Sequence, residues 1–232
     1  MSISKEELNK LDYITYYRKN PKESYSIYKK TQVIIKIIQA LKFNLQNKNI
    51  LDIGFGTGST LLSLSQINCR LYGIEFIREA NLNLRLKTKN NVRFNLILSS
   101  ISTIPFKKNS FHIIICSHVL EHVKEDYSAL MEIWRVLCKK GNVIFLTPNE
   151  NYGNRHKLHY RTYSYVKLEN LIKNKFSIIF RLKYRSFIDN YMYKIPEKFY
   201  FLNRILNISS FFDLFFARKF RNLEDLYLLI KK

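Results

Sequence analysis

The apolar positions of this chain change period as one moves along it. In "TQVIIKIIQALKF", Val33, Ile34, Ile37, Ile38 and Leu41 recur on one face at helical spacing, and the first 44 residues read as helical. After them the apolar runs become short and are broken by turn residues. "NKNILDIG" predicts a buried strand stopped by glycine, and "STLLSLSQ" a helix opening on Ser59. "RLYGIE" is a second strand, "REANLNLRLKTK" a second helix and "VRFNLIL" a third strand. "FHIIIC" is apolar almost throughout, as in a parallel sheet covered on both faces. "EDYSALMEIWRVLCKKG" predicts an amphipathic helix ending at Gly141, and "NVIFLTP" a fifth strand closed by Pro148. Strand and helix alternate at βαβ spacing, which predicts a doubly wound, mostly parallel, seven-stranded α/β sheet of the Rossmann-like kind.

The C-terminal third is less regular. "YSYVKLENLIKNK" predicts a helix, "FSIIFRLKYR" a strand and "EDLYLLIKK" a final strand. The chain reads as one domain: a helical cap over 1–44, a core over 45–182, an insertion over 183–222 and a last strand over 223–232. The insertion is aromatic-rich, with Phe201, Ile205, Ile208, Phe212 and Phe215 at helical spacing. This predicts a helical lid on the sheet edge. An apolar acceptor pocket, or peripheral membrane contact through 199–220 with Arg204, Arg218 and Lys219 at the headgroups, is the alternative.

Composition narrows the class. Apolar residues make up 47% and charged residues 25% of the 232, enough for a full globular core. Lys and Arg outnumber Asp and Glu by 39 to 18, a net charge of +21 that calls to mind nucleic acid, a membrane surface or a phosphorylated substrate. The lysines are scattered with no long basic block, and a Lys-, Asn- and Ile-rich mix also follows from A/T-rich coding, so nucleic acid is not the favoured partner. Cys69, Cys116 and Cys138 are few and widely spaced, which argues for free thiols and against a disulfide framework or a Cys-based zinc site. "MSISKEELNK" is polar, unlike a signal peptide, and no apolar run approaches the ~20 residues that span a bilayer. The expectation is a cytoplasmic protein of undetermined oligomeric state.

Chemistry enters at "ILDIGFGTGS". Gly54, Gly56 and Gly58 follow a predicted strand, precede a predicted helix, and stand next to Asp52. Glycines let the backbone turn tightly against a ligand, and the helix start beyond them presents free N–H groups. Twenty-three residues after Asp52, the second strand ends in Glu75, placed to accept from both hydroxyls of a ribose. Together they point to a nucleoside-containing cofactor across the strand ends, either a nicotinamide dinucleotide or S-adenosylmethionine.

At this point the chain resembles the class I S-adenosylmethionine-dependent methyltransferases, in particular those that modify small molecules, sugars and lipids. The resemblance runs from about residue 48 to 182, with the final strand added. It is carried by "LDIGFGTGS", "GIE", "SSISTIPFKKNSFHIIICSHVLEHV" and "EIWRVLCKKGNVIFLTPN", in that order. It implies S-adenosylmethionine as cofactor, with Asp52, Gly54, Gly56 and Gly58 around its methionine part and Glu75 on the ribose. Ser100 stands where the family often has an Asp facing the adenine amine, and Ile101 would offer its backbone N–H to the ring. His112 stands where the family usually has Asp, at a position expected to be structural.

"CSHVLEHV" follows the fourth strand, so residues 117–122, beginning with Ser117, are expected to face the reactive end of the cofactor. If 118–122 are helical, His118, Glu121 and His122 share one face. They read as an acceptor pocket with a histidine base, as a metal site, or as a cap that shapes the rim. H-x-x-E-H also occurs in zinc proteases, but there on a long helix, not after a buried strand. The ubiquinone and small-RNA methyltransferases carry a similar E-x-x-E-H that holds Mg²⁺. Here His118 replaces the first acid, which weakens a Mg²⁺ site, and no metal is assigned. In "TPNENYGNRHKLHYRTYS", His159 is a second base candidate, a fourth metal ligand or a loop residue, and Arg161 could hold an acceptor carboxylate or phosphate. The acceptor itself is not legible. An RNA methyltransferase and a cofactor-binding protein without turnover remain as alternatives.

Overall fold

The structure is a computed structural model that describes residues 11–12, 14–15, 25–40, 44–88, 94–150, 159–184 and 224–232. In chain order the elements are α1 (Tyr25–Ala40), β1 (Asn49–Ile53), α2 (Ser59–Leu64), β2 (Arg70–Glu75), α3 (Arg78–Thr88), β3 (Phe94–Leu98) and β4 (Phe111–Ser117). A single tight turn over Leu120–His122 follows, then α4 (Asp126–Val136), β5 (Leu137–Pro148), α5 (Tyr165–Ile172), β6 (Phe176–Tyr184) and β7 (Glu224–Lys231).

The seven strands form one sheet in the order β3-β2-β1-β4-β5-β7-β6. Strands β1 to β5 are parallel, and β7 runs antiparallel between β5 and β6. The predicted doubly wound α/β sheet is therefore what forms. Side chains that alternate along each strand feed two cores. Leu51, Ile53, Ile114 and Cys116 pack under α4 and α5, against Ala129, Leu130, Ile133 and Leu168. Ile50, Ile113 and Ile115 face the other way, onto Ile34, Ile37 and Ile38 of α1, Leu61 of α2 and Leu84 of α3. This is why "FHIIIC" carries no polar alternation: both of its faces are covered. The apolar face of α1 read from the sequence is the face it buries; Leu41 lies outside the described residues.

Two expectations need correction. The fourth helix stops at Val136, five residues before Gly141, because Leu137 is fully buried and pairs with Phe111 at the start of β4. The register then shifts between Phe111 and Ile113, and Lys140 takes a φ of 56°. Nor do residues 118–122 form a helix: His118 stands outside the Leu120–His122 turn with a φ of 55°. Of the insertion expected over 183–222, Lys183 and Tyr184 belong to β6, and the rest lies outside the described residues, as does the membrane contact expected over 199–220. Among the described residues, no helix is long and apolar enough to cross a membrane.

Candidate functional site

The carboxyl ends of β1, β2 and β4 surround one cavity of about 610 Å³. Its floor is the turn from β1 into α2. Gly54 takes a φ of 66° there, and a Cβ on it would lie 2.5 Å from Cγ2 of Val119. Glycine is thus required twice over, by conformation and by the approach of the segment after β4. Gly58, at a φ of 76°, opens α2, and a Cβ there would strike Leu84. Gly58 does not line the cavity, unlike Gly54 and Gly56, so its part is to pack α2 against α3.

Two acids meet in this cavity. Glu75, at the end of β2, accepts at Oε2 from Gly56 N (3.1 Å) and at Oε1 from Phe76 N (2.8 Å) and Ile77 N (3.0 Å). Burial raises its pKa above the usual carboxylate value, and the three amides oppose that rise. Asp52 is 3% exposed, and no described residue donates a hydrogen bond to it. Burial, reinforced by the neighbouring Glu75 charge, pushes Asp52 up to about 8. Ser100, Ile101 and Ser117 also line this cavity.

The other end is built by the segment after β4, by α1 and by Tyr160. His118 Nδ1 lies 3.0 Å from Glu121 Oε1, and Nε2 lies 3.2 Å from Glu224 Oε2. Both carboxylates are fully buried, whereas the His118 side chain is 19% exposed. Burial and the Lys30 charge work against a proton on His118, but the two carboxylates outweigh them and hold its pKa above the usual histidine value. For Glu121, burial is overcome by His118, with help from His122, and its pKa falls below the usual value. The backbone around the pair is pinned by His118 N to Leu146 O (2.9 Å) and Tyr160 N to Glu121 O (2.8 Å).

His122 faces the cavity, and its ring meets His159 edge to face with centroids 4.6 Å apart. Glu121, His122 and His159 each offer a ligand atom within 4.8 Å of the others, so these three could hold a metal. His118 is not of this group, because both of its nitrogens are occupied by carboxylates. Neither Glu121 nor His159 lines the cavity; they stand behind His122.

Arg161 differs from expectation. It pairs with Asp126 (2.5 Å) and donates to Lys124 O (2.5 Å), and it does not line the cavity. Tyr163 donates to the same Asp126 carboxylate (2.8 Å), so Arg161 anchors the loop to α4 instead of waiting for an acceptor. His112 is structural, as expected: its Nδ1 accepts from Asn49 N at the start of β1 (3.2 Å). Sequence reasoning missed Glu224, which stands behind His118. It expected the N-terminal helices to help build the acceptor pocket, and α1 does line the cavity, through Ile27, Lys30, Thr31 and Ile34, residues that the helical period alone did not single out.

The comparisons agree with this geometry. Residues 51–145 match the family model of a methyltransferase domain. An uncharacterized protein of Methanocaldococcus jannaschii is 31% identical over 183 residues, covering 77% of this chain and 71% of the relative. A ubiquinone biosynthesis O-methyltransferase of Rickettsia bellii is 25% identical over 155 residues, covering 64% of each chain. Among solved structures, the N-methyltransferase NodS of Bradyrhizobium japonicum, in complex with S-adenosyl-L-homocysteine, superposes with a TM-score of 0.63 at 12% identity, over 91% of this chain and 89% of that one. The chain belongs to the class I S-adenosylmethionine-dependent methyltransferases. Its cofactor is S-adenosylmethionine, and the residues present fit it: a glycine floor that no Cβ could share, and buried Glu75 and Asp52 facing the same cavity.

Proposed function

We propose that this chain transfers the methyl group of S-adenosylmethionine to a small-molecule, sugar or lipid acceptor. The observation that carries this reading is the continuity of the cavity. One space of about 610 Å³ runs from Asp52, Gly56 and Glu75 to His122, Tyr160 and the underside of α1. Its acceptor end is walled by Ile27, Ile34, Val119 and Val123, a lining suited to an acceptor with an apolar body. The ubiquinone biosynthesis O-methyltransferase and a demethylmenaquinone methyltransferase of Lactococcus lactis, similar to this chain over 64% and 44% of its length, favour small acceptors by their names.

The cofactor supplies a methyl group already activated for attack. The protein's task is therefore largely positioning, which contributes ~7–11 kcal/mol where the reacting atoms are held in line. Of the sequence's base candidates, His118 and His122 both line the cavity, and His122 is favoured because both nitrogens of His118 are held by carboxylates. An acceptor hydroxyl that attacks the methyl carbon gives up its proton to His122, a contribution of about 10²–10⁴-fold. Glu121 and His159 back that imidazole.

Incubation of cell extract with isotopically labelled S-adenosylmethionine, followed by mass spectrometry, tests the reading. A labelled small molecule that disappears with His122→Ala is the expected result. Labelled RNA with a steep salt dependence would favour the RNA alternative instead. Cofactor binding by calorimetry with no labelled product of any kind would favour a binding protein without turnover.

A second reading is favoured by one observation, the Glu121, His122 and His159 cluster. Glu121 Oε2 is buried and has no hydrogen-bond partner among the described residues, which suits a ligand atom. Two imidazoles and one carboxylate suit zinc, iron or manganese better than Mg²⁺, which prefers oxygen donors. A metal here would polarise an acceptor oxygen as a Lewis acid. Metal analysis of the protein purified with and without added zinc tests it, with His122→Ala and His159→Ala beside the wild type.

A further inference from the structure

Glu224 opens β7 and lies 106 residues beyond His118 in sequence, yet the two share a contact of 3.2 Å. Its carboxylate is fully buried. A carboxylate is not placed in such a position without partners, and an imidazole nitrogen is one of them here. The other nitrogen of the same ring lies 3.0 Å from Glu121, also fully buried. His118 therefore bridges two acids, one from the segment after β4 and one from β7.

The backbone reinforces the point. His118 has a φ of 55°, in the left-handed region that only a few per cent of non-glycine residues enter, Asn, Asp and His most often. Such outliers persist only where the surroundings over-determine them, and they cluster at functional sites. Extended backbone at 118 would carry the ring away from one or both acids. With Oε1 of Glu121 bound to His118, the other oxygen, Oε2, is left without a hydrogen bond among the described residues. A ligand atom of Glu121 lies within 4.8 Å of ligand atoms on both His122 and His159.

We propose that Glu224 and His118 are positioning residues of the site: Glu224 fixes the His118 ring, the ring fixes the Glu121 carboxylate, and that carboxylate sets the His122 and His159 pair. The proposal rests on the reading that this end of the cavity holds the acceptor. It joins the start of β7 to the reacting end of the cavity, which a staple between strands would not need to do. His118 touches neither acceptor nor methyl in this scheme.

The test uses nuclear magnetic resonance of the histidine rings, with assignment by single substitutions, and labelled methyl transfer to extract. Glu224→Leu removes the acceptor for Nε2, whereas Glu224→Gln keeps an oxygen there. With Glu224→Leu the His118 ring N–H signal should vanish and the His122 and His159 ring signals should move. Methyl transfer should fall about 10- to 100-fold, the cost of misplacing a reacting group. S-adenosylhomocysteine affinity should stay at the wild-type value, and Glu224→Gln should restore much of the lost transfer. If Glu224→Leu does not fold, His118→Asn carries the same readouts, because Asn tolerates the left-handed backbone. Unmoved His122 and His159 signals in these variants overturn the proposal. A wild type that labels no acceptor overturns the proposed function instead, and the ring signals still decide the positioning role.

Discussion

Asp52 and Glu75 face one cavity from neighbouring strands, but three backbone amides donate to Glu75 and no described residue donates to Asp52. The pair holds a proton on Asp52 at neutral pH, with its pKa pushed up to about 8.

Cofactor binding should therefore release a proton. S-adenosylmethionine carries a sulfonium and an ammonium group, and a cation beside Asp52 favours its ionised form. Affinity should rise up to tenfold per pH unit as pH climbs toward about 8 and level off above it. Calorimetry in buffers of different ionisation enthalpy would show the proton. Asp52→Asn should abolish the pH dependence and weaken binding by about 10- to 150-fold, the value of a hydrogen bond to a charged group.

The same acid works against the empty fold. Its folded pKa lies above its unfolded one, so the folded chain binds more protons between about pH 4 and 8. This contribution to stability is complete below pH 4 and is lost as pH rises through 8. Asp52→Asn should raise the urea midpoint of the cofactor-free protein at pH 8 and leave it near the wild-type value at pH 4. An unchanged midpoint at pH 8 would contradict the pairing.

His112 gives the opposite slope. Burial first, and then the Lys48 charge, hold its pKa below the usual value. A proton at Nδ1 would also cost the bond from Asn49 N. Its share of stability is present above about pH 6.5, the unfolded value, and is lost as pH falls through the lower, folded one. Denaturation of His112→Gln and wild type at pH 7.5 and 5.5 should show the smaller pH effect in the variant.

Gly54→Ala places a Cβ against Val119 and forces alanine into left-handed backbone. The backbone alone costs about 1–2 kcal/mol, and the clash adds ~1–3 kcal/mol. Thermal unfolding should drop and S-adenosylhomocysteine binding should be lost. The double variant Gly54→Ala with Val119→Ala should recover only the clash, about half of the loss in stability.

Arg161→Ala should lower stability by about 1–2 kcal/mol through the lost Asp126 and Lys124 contacts, in line with a partly buried ion pair and one carbonyl bond. Cofactor affinity should not change. A selective loss of acceptor turnover at unchanged stability would return Arg161 to the substrate.

The cofactor half was legible in the sequence because its residues follow one another. "LDIGFGTGS" and "RLYGIE" each encode a strand and the turn that ends it, so period and glycine spacing place Asp52, Gly54, Gly56 and Glu75 directly. The acceptor half was not, since it is assembled from distant segments. His118, Glu121 and His122 looked like one helical face, but His118 stands before the Leu120–His122 turn, in left-handed backbone. Nothing local to "NLEDLYLLI" marks Glu224 as a site residue; its meaning comes from β7 pairing beside β5. Arg161 read as an acceptor ligand because an arginine in a rim loop has no visible partner until Asp126 is brought to it. The end of α4 was misplaced for a similar reason: Leu137 fits the helical period of "ALMEIWRVL", and only its pairing with Phe111 shows that it is already strand.

The position of β7 also constrains how the chain is made. It leaves the ribosome after β6, yet it lies between β5 and β6. Until it arrives, β5 presents an unpaired apolar edge that β6 cannot fill in native register. An emerging chain of this topology holds five completed parallel strands beside an open seam, the kind of edge that recruits other chains. Closing the seam protects the nascent molecule and, because the same strand begins with Glu224, brings the second acid to His118 in the same event.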